Sequence, residues 1–212
     1  MVQPGEEEDG GSDLVVRSYT HADREWVVEQ FRAAMREMAK PDERVQKQVA
    51  AYTESCVTGD LSDVPEQYDL REAALGASHG PRGHFWICVR SGEPECRVGM
   101  VGLRRVNPAD LQRVNGSDTA RHNDEECQHV AELLRFSVAR DARRLGAGSR
   151  LLKVLIQHAK EQGFRVVKLE SLNCMAGARR LYEKEGFRID ARRPLGEVPV
   201  DVEHIVSMTL NL

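Results

Sequence analysis

The stretch VAELLRFSVARDARRLGAGSR, Val130–Arg150, decides how the rest of this 212-residue chain is read. Its first nine residues, Val130–Val138, are mostly apolar and predict a strand. Its last residues open an amphipathic run, Ser149–Gln162, in which Leu151, Leu152, Leu155, Ile156 and Ala159 share one helical face and Gly163 supplies a left-handed stop. The join between strand and helix is basic and contains Gly146 and Gly148. A strand, a glycine-containing turn and a helix in that order point backbone N–H groups and the positive end of a helix dipole at one spot, where an anion can sit. The glycines clear side chains from the approach of a pyrophosphate, and Arg143, Arg144 and Arg150 can neutralise phosphate charge. For the turn taken alone, a glycine loop with surface arginines is an equal alternative. Neither G-x-x-x-x-G-K-[ST] nor G-x-G-x-x-G is present, which weakens a nucleotide P-loop and a dinucleotide-binding turn.

Working outward, Leu14–Tyr19 predicts a strand, and Thr20 with Asp23 predicts a cap for a helix carrying Val27, Phe31, Ala34, Met35 and Met38, closed by Pro41. Residues 42–80 are polar and partly helical, with Val45, Val49 and Tyr52 on one face and a break at Gly59-Asp60. His84–Val89 and Arg97–Leu103 predict a hairpin around Ser91-Gly92-Glu93-Pro94. After Val138 the pattern predicts a strand at Arg165–Leu172, a helix at Ala176–Glu185 ended by Gly186, and strands near Phe187–Ala191 and His204–Leu210. Residues 1–12 are acidic and glycine-rich and predict a disordered tail. Residues 13–212 predict a single domain, with a mobile insertion at 107–128.

Composition narrows the function. A net charge of -4 and a pI near 6.0 give no general attraction to nucleic acid. No apolar run approaches the ~20 residues that span a bilayer, and the acidic start lacks the pattern of a signal peptide. The expectation is a cytoplasmic protein without a membrane or nucleic-acid partner. Five cysteines without a C-x-x-C pair predict reduced thiols, and seven scattered histidines predict no metal site.

Arg143-Arg144-Leu145-Gly146-Ala147-Gly148 resembles the R/Q-x-x-G-x-G/A signature of GNAT N-acetyltransferases. Two flanks agree with it: Ala178–Phe187 resembles the family's A-x-x-L-Y-E-K-x-G-F stretch, and Arg17–Asp23 resembles its first strand and turn. Gly59-Asp60-Leu61-Ser62-Asp63 ahead of Phe85-Trp86 is similar to the camello-like branch. The resemblance implies an α/β (α+β) fold: a mixed, mostly antiparallel sheet flanked by helices, with a central parallel pair of strands splayed to admit pantetheine. It implies acetyl-CoA as cosubstrate, held by backbone near Phe136 and Val138 and by the turn of Arg143, Arg144, Leu145, Gly146, Ala147, Gly148, Ser149 and Arg150, with no metal. It also implies direct transfer to a primary amine of a small molecule or of a protein or peptide, by a monomer or homodimer.

Amide formation from an ammonium needs a base, a stabilised thioester oxygen and a proton for the departing thiolate. Glu132 is the candidate base, with ten residues between it and Arg143 as in family members that place a glutamate there. The alternatives are an ordered water chain or a structural carboxylate paired with Arg104 or Arg135. Strand alternation places Glu132, Leu134, Phe136 and Val138 on one face and Leu133, Arg135 and Ser137 on the other. Tyr182 matches the position at which a hydroxyl protonates the coenzyme A thiolate. Asn173 stands nine residues before Tyr182 rather than the usual seven, and Cys174 is a bystander. A nonenzymatic acyl-CoA-binding module on the same fold is the other functional class these residues allow.

Overall fold

The computed structural model describes residues 13–38, 42–70, 80–90, 92–106, 127–194 and 204–212. Strand β1 (Leu14–Ser18) leads through a short turn of 3-10 helix (His21–Asp23) into α1 (Arg24–Met38), followed by α2 (Glu43–Thr58) and α3 (Val64–Gln67). Strands β2 (His84–Arg90), β3 (Glu93–Arg105) and β4 (Val130–Val138) come next, then a second 3-10 turn (Arg140–Ala142) and α4 (Ala147–Glu161). The chain closes with β5 (Val166–Leu172), α5 (Ala176–Lys184), β6 (Arg188–Pro194) and β7 (His204–Asn211). Among the described residues seven strands form one sheet in the order β1-β2-β3-β4-β5-β7-β6. Every pairing is antiparallel except β4 with β5.

Helices cover both faces, and β2 shows how the strands divide between them. Phe85, Ile87 and Val89 enter the core built with Val27, Phe31 and Met35 of α1, Cys56 of α2 and Val64 of α3. Trp86 and Cys88 enter the opposite core with Leu151, Leu152, Leu155 and Ala159 of α4 and Tyr182 of α5. Both Phe85 and Trp86 are therefore core residues, and neither faces an open cleft. The α4 periodicity follows the sequence reading, and Gly163, at φ +81°, ends it in the left-handed conformation that a side chain disfavours.

Some boundaries move. Strand β3 is longer than the predicted Arg97–Leu103 and begins at Glu93. Helix α2 buries Thr53 and Cys56, whereas Tyr52, assigned by periodicity to the inner face with Val45 and Val49, is exposed. Cys127, placed in the insertion, is buried beside Val106 and Val130 at the base of β4. The tail at 1–12, Pro41 and residues 107–126 of the expected insertion lie outside the described residues.

One buried carboxylate ties the start of the chain to the sheet. Asp23 accepts from the Thr20 backbone N–H and hydroxyl, at 2.7 and 2.9 Å, giving the cap expected from Thr20 and Asp23. Its two oxygens also take the Arg17 guanidinium, both at 2.7 Å, and Arg97 of β3 at 2.6 Å. Burial works against the charge, but the two guanidinium groups and the Thr20 contacts prevail and hold the carboxyl well below its ordinary range. A depressed carboxyl contributes stability that is complete above its unfolded pKa of about 3.9 and is lost as pH falls toward the folded value. Asp23→Asn is expected to lower the unfolding free energy by about 3 kcal/mol, since two guanidinium groups lose their counter-charge. Urea titrations between pH 7 and pH 3 should show that loss together with a flatter acid-side dependence than in the unsubstituted protein.

Candidate active site

Strands β4 and β5 pair in parallel at Val130 with Val166, Ala131 with Val167 and Glu132 with Lys168. Beyond these three pairs the register between them stops, although β4 runs on to Val138 and β5 to Leu172. Their outer neighbours stay attached: β7 follows β5 to Leu172, and β3 follows β4 to Val138. The sheet therefore opens as a wedge between its two central strands.

A bulge accompanies the opening. Met100 pairs with Ser137 and Gly102 with Leu134, so two steps along β3 span three along β4. Arg135 takes the extra step in left-handed conformation, at φ +54°. The alternation read from sequence is overturned here. Ala131 and Leu133 before the bulge, and Phe136 and Val138 after it, all face the α4 and α5 layer. Leu134 packs with the α1–α3 core, Arg135 lies over the Phe31 ring of α1, and Ser137 accepts from Gln30 Nε2 of α1 at 2.9 Å. Glu132 is on that second side too, 1% exposed, with Oε2 3.2 Å from Arg104 Nη2. The Arg104 partnership is thus present, and Arg135 pairs elsewhere.

The basic turn sits at the end of β4. Gly146, at φ +90°, adopts a conformation that favours glycine, and nothing lies within 4 Å of where its Cβ would stand. The Arg150 N–H makes the bond back to the Gly146 carbonyl at 3.0 Å. Asp42 and Asp63 cap α2 and α3 with their side chains, but among the described residues no side chain caps α4, and its first turn holds no acidic residue. None of the described residues thus places an anion beside the first N–H groups of this 15-residue helix. Arg144 and Leu145 are exposed there, and Ala147 is buried. Arg143 instead forms a two-point ion pair with Glu37 of α1, at 2.6 and 2.5 Å, and Arg150 donates to the Leu14 carbonyl at 3.2 Å. Gly148 has a packing reason for its size: a Cβ there would stand 2.9 Å from Leu181 Cδ2 and 3.2 Å from Phe136 Cζ.

Tyr182 lies on the α4 and α5 side, 4% exposed, with its ring centroid 5.6 Å from Phe136 and 5.8 Å from Phe187. Its hydroxyl has no hydrogen-bond partner among the described residues, and burial pushes the phenol above its ordinary value. The same burial that keeps the proton on the phenol at neutral pH makes it a weaker acid than an exposed tyrosine. Glu132 and Tyr182 therefore flank the wedge from opposite faces of β4. Asn173 is occupied structurally, its side-chain oxygen accepting from the His204 N–H at 3.0 Å. Cys174 is an exposed thiol.

Sequence reasoning missed the groups packed behind β4. Asp60, between α2 and α3, accepts from Arg135 at 2.8 and 2.6 Å and from the Tyr68 hydroxyl at 2.5 Å. Arg135 stands 75 positions from Asp60, and no local spacing joins them. Glu37 and Gln30 of α1 were not singled out either.

Residues 33–187 match the acetyltransferase (GNAT) family, to which this chain belongs. The chain is 32% identical over 129 residues to "Probable N-acetyltransferase camello" of Xenopus tropicalis, covering 61% of this chain and 45% of that protein. To the Xenopus laevis protein of the same name it is 28% identical over 137 residues, covering 65% and 49%. The chain thus spans about half the length of the curated relatives it matches. Solved structures share the fold. A GNAT-family acetyltransferase of Staphylococcus aureus Mu50 superposes with a TM-score of 0.61 at 19% identity, covering 94% of this chain and 99% of that one. The Salmonella typhimurium protein yncA, solved with its cofactor acetyl-CoA, gives 0.59 at 16% identity, covering 94% of both chains.

The contacts around Gly148 set a stability test. Gly148→Ala is expected to cost about 1 kcal/mol, the crowding of Leu181 and Phe136 outweighing the helix propensity of alanine. In a Leu181→Ala background the same change should become neutral or favourable, as read by the difference in urea midpoints.

Proposed function

We propose that this protein is an acetyl-CoA-dependent N-acetyltransferase that passes the acetyl group directly to a primary amine. The observation carrying the reading is the wedge between β4 and β5, with the uncapped α4 N-terminus at the end of β4 and Glu132 and Tyr182 on its two sides. Coenzyme A is assigned to the wedge. The pyrophosphate lies on the N–H groups at Ala147, Gly148 and Ser149, with Gly146 leaving the approach open and Arg144 adding charge. The pantetheine arm lies along the unpaired part of β4 near Phe136 and Val138, where a backbone N–H polarises the thioester carbonyl.

The amine arrives from the α1–α3 side. Glu132 is too enclosed to meet it directly, so a bridging water carries the ammonium proton to the carboxylate, which Arg104 holds in place. The neutral amine attacks the thioester carbon and the C–N bond forms; as the tetrahedral intermediate collapses and the C–S bond breaks, the nitrogen releases its surplus proton to water. Tyr182 gives its proton to the departing thiolate from the opposite side and regains one from water before the next turnover. The acceptor is a small-molecule amine or an amine of a protein or peptide.

A panel of such amines with acetyl-CoA, followed by free-thiol release and product mass, tests the reading. Expected is thiol release matched by an acetylated product. Tight coenzyme A binding with only slow hydrolysis and no preferred amine would instead make the protein an acyl-CoA-binding module. Three variants separate the roles. Arg144→Glu should weaken coenzyme A binding by about tenfold in calorimetry, since a charge next to the phosphates is reversed. Glu132→Gln should lower kcat and remove the acidic limb of the pH–rate profile while coenzyme A affinity holds. Tyr182→Phe should slow the single-turnover step by about a hundredfold, near the lower bound for acid catalysis, with little change in KM. An unaltered single-turnover rate would assign Tyr182 to packing.

A further inference from the structure

We infer that the buried Asp60–Arg135 ion pair is a positioning device for the acyl-transfer step, fixing the β4 bulge from behind the sheet. This rests on the proposed acetyltransferase reading. Arg135 sits inside a strand at φ +54°, where a non-glycine residue costs about 1 kcal/mol or more. Glycine would adopt that conformation freely, so an arginine there points to a use for its side chain.

That side chain is fully engaged. Nε and Nη2 meet the two Asp60 oxygens at 2.8 and 2.6 Å, Nη1 reaches the Tyr52 hydroxyl at 3.5 Å, and the guanidinium carbon lies 4.8 Å from the Phe31 ring centroid. The pair is almost wholly enclosed, with side-chain exposures of 10% for Arg135 and 8% for Asp60. Burial opposes the Asp60 charge, but Arg135 outweighs it and keeps the carboxyl below its ordinary value.

Asp60 closes a loop around the bulge. It also accepts from the Tyr68 hydroxyl, and the Tyr68 ring lies over Gly102, where a Cβ would be 2.4 Å from Tyr68 Cε1. Gly102 is the β3 residue that pairs with Leu134, immediately before Arg135. One carboxylate therefore holds β4 through Arg135 and β3 through Tyr68, at the point where two residues' progress on one strand meets three on the other. The Arg104 guanidinium, which holds Glu132, also contributes to keeping Asp60 charged. Asp60 and Arg135, spent on each other and almost wholly enclosed, are positioning residues and not groups that meet the reacting atoms. They act through the backbone that carries Phe136, and through Arg104 on the orientation of Glu132.

The test uses Arg135→Gly, which keeps the left-handed backbone accessible but deletes the clamp, beside Arg135→Lys and the nearly isosteric Asp60→Asn. All are measured on the full chain for coenzyme A affinity, single-turnover acetyl transfer to the preferred amine, and pH profile, with circular dichroism confirming the fold. Expected in Arg135→Gly and Asp60→Asn is coenzyme A affinity within about threefold of the unsubstituted protein, against a transfer step slowed by about a hundredfold, the scale set by misplacing a reacting group by an ångström. The acidic limb should shift in Asp60→Asn, and Arg135→Lys should not rescue, because an ammonium cannot span both carboxylate oxygens. The double variant should be no slower than the worse single one.

A folded Arg135→Gly protein with unchanged transfer would overturn the inference, since glycine would then supply all that the bulge needs. So would a parallel loss of affinity, rate and folded fraction in Asp60→Asn, which would make the pair a stability element alone. If the unsubstituted protein binds no coenzyme A and transfers no acetyl group, the acetyltransferase reading itself falls, and this inference falls with it. An active parent with unaffected variants removes only the positioning role.

Discussion

The left-handed residue inside β4 is the constraint on which the rest of the site depends. Without the extra step at Arg135, the residues after Leu134 would keep the parity of those before it. Phe136 and Val138 would then join Glu132 on the α1–α3 side, leaving Tyr182 and the Gly148 turn without their packing partners. The bulge moves them across the sheet and lies just beyond Glu132, the last residue of β4 paired with β5. A strained backbone at one position thus separates the side of the sheet that carries Glu132 from the side that carries Tyr182. Strain of this kind persists only when surrounding contacts over-determine it, and the buried contacts of Arg135 are of that kind.

The two faces of β4 also divide the chemistry of the proposed reaction. The α1–α3 side holds ionised and hydrogen-bonded groups: Glu132 with Arg104, Asp60 with Arg135, Gln30 with Ser137. The α4 and α5 side holds rings and aliphatic groups, with Tyr182 between Phe136 and Phe187. A proton leaving an ammonium is served by charge and water, and a hydroxyl that must stay protonated is served by an apolar wall. The same strand supplies both surroundings because its side-chain parity changes within it.

Much of this was legible in the sequence, for local reasons. The limits Val130–Val138, the apolar stripe of α4, its stop at Gly163 and the cap joining Thr20 to Asp23 each arise from residues within a few positions of one another, where spacing carries the signal. The bulge was not legible. Nothing in LLRFS separates a regular strand from one with an extra residue, because the cause is an ion pair to Asp60, with Tyr68 and Gly102 behind it. Tyr52 misled in a related way: its spacing fits the inner face of α2, yet that face buries Thr53 and Cys56 and leaves the ring outside. Glu132 and Tyr182 were singled out by position in a motif, but whether they share a face could be read only from the register.

The pair between Arg143 and Glu37 gives the turn proposed to hold the cofactor a tenant of its own. A guanidinium that already faces a carboxylate offers an arriving phosphate an exchange of anions rather than a vacant cation, so the Coulombic gain from Arg143 is only the difference between the two partners. Glu37 belongs to the last turn of α1, the helix that also carries Gln30 and Phe31. A phosphate that evicts Glu37 from the fork takes from the last turn of α1 only an ion pair that is nearly half exposed, worth about 1 kcal/mol or less, while Val27, Phe31 and Met35 keep the helix seated. The turn would then be contested by two anions competing for a single arginine.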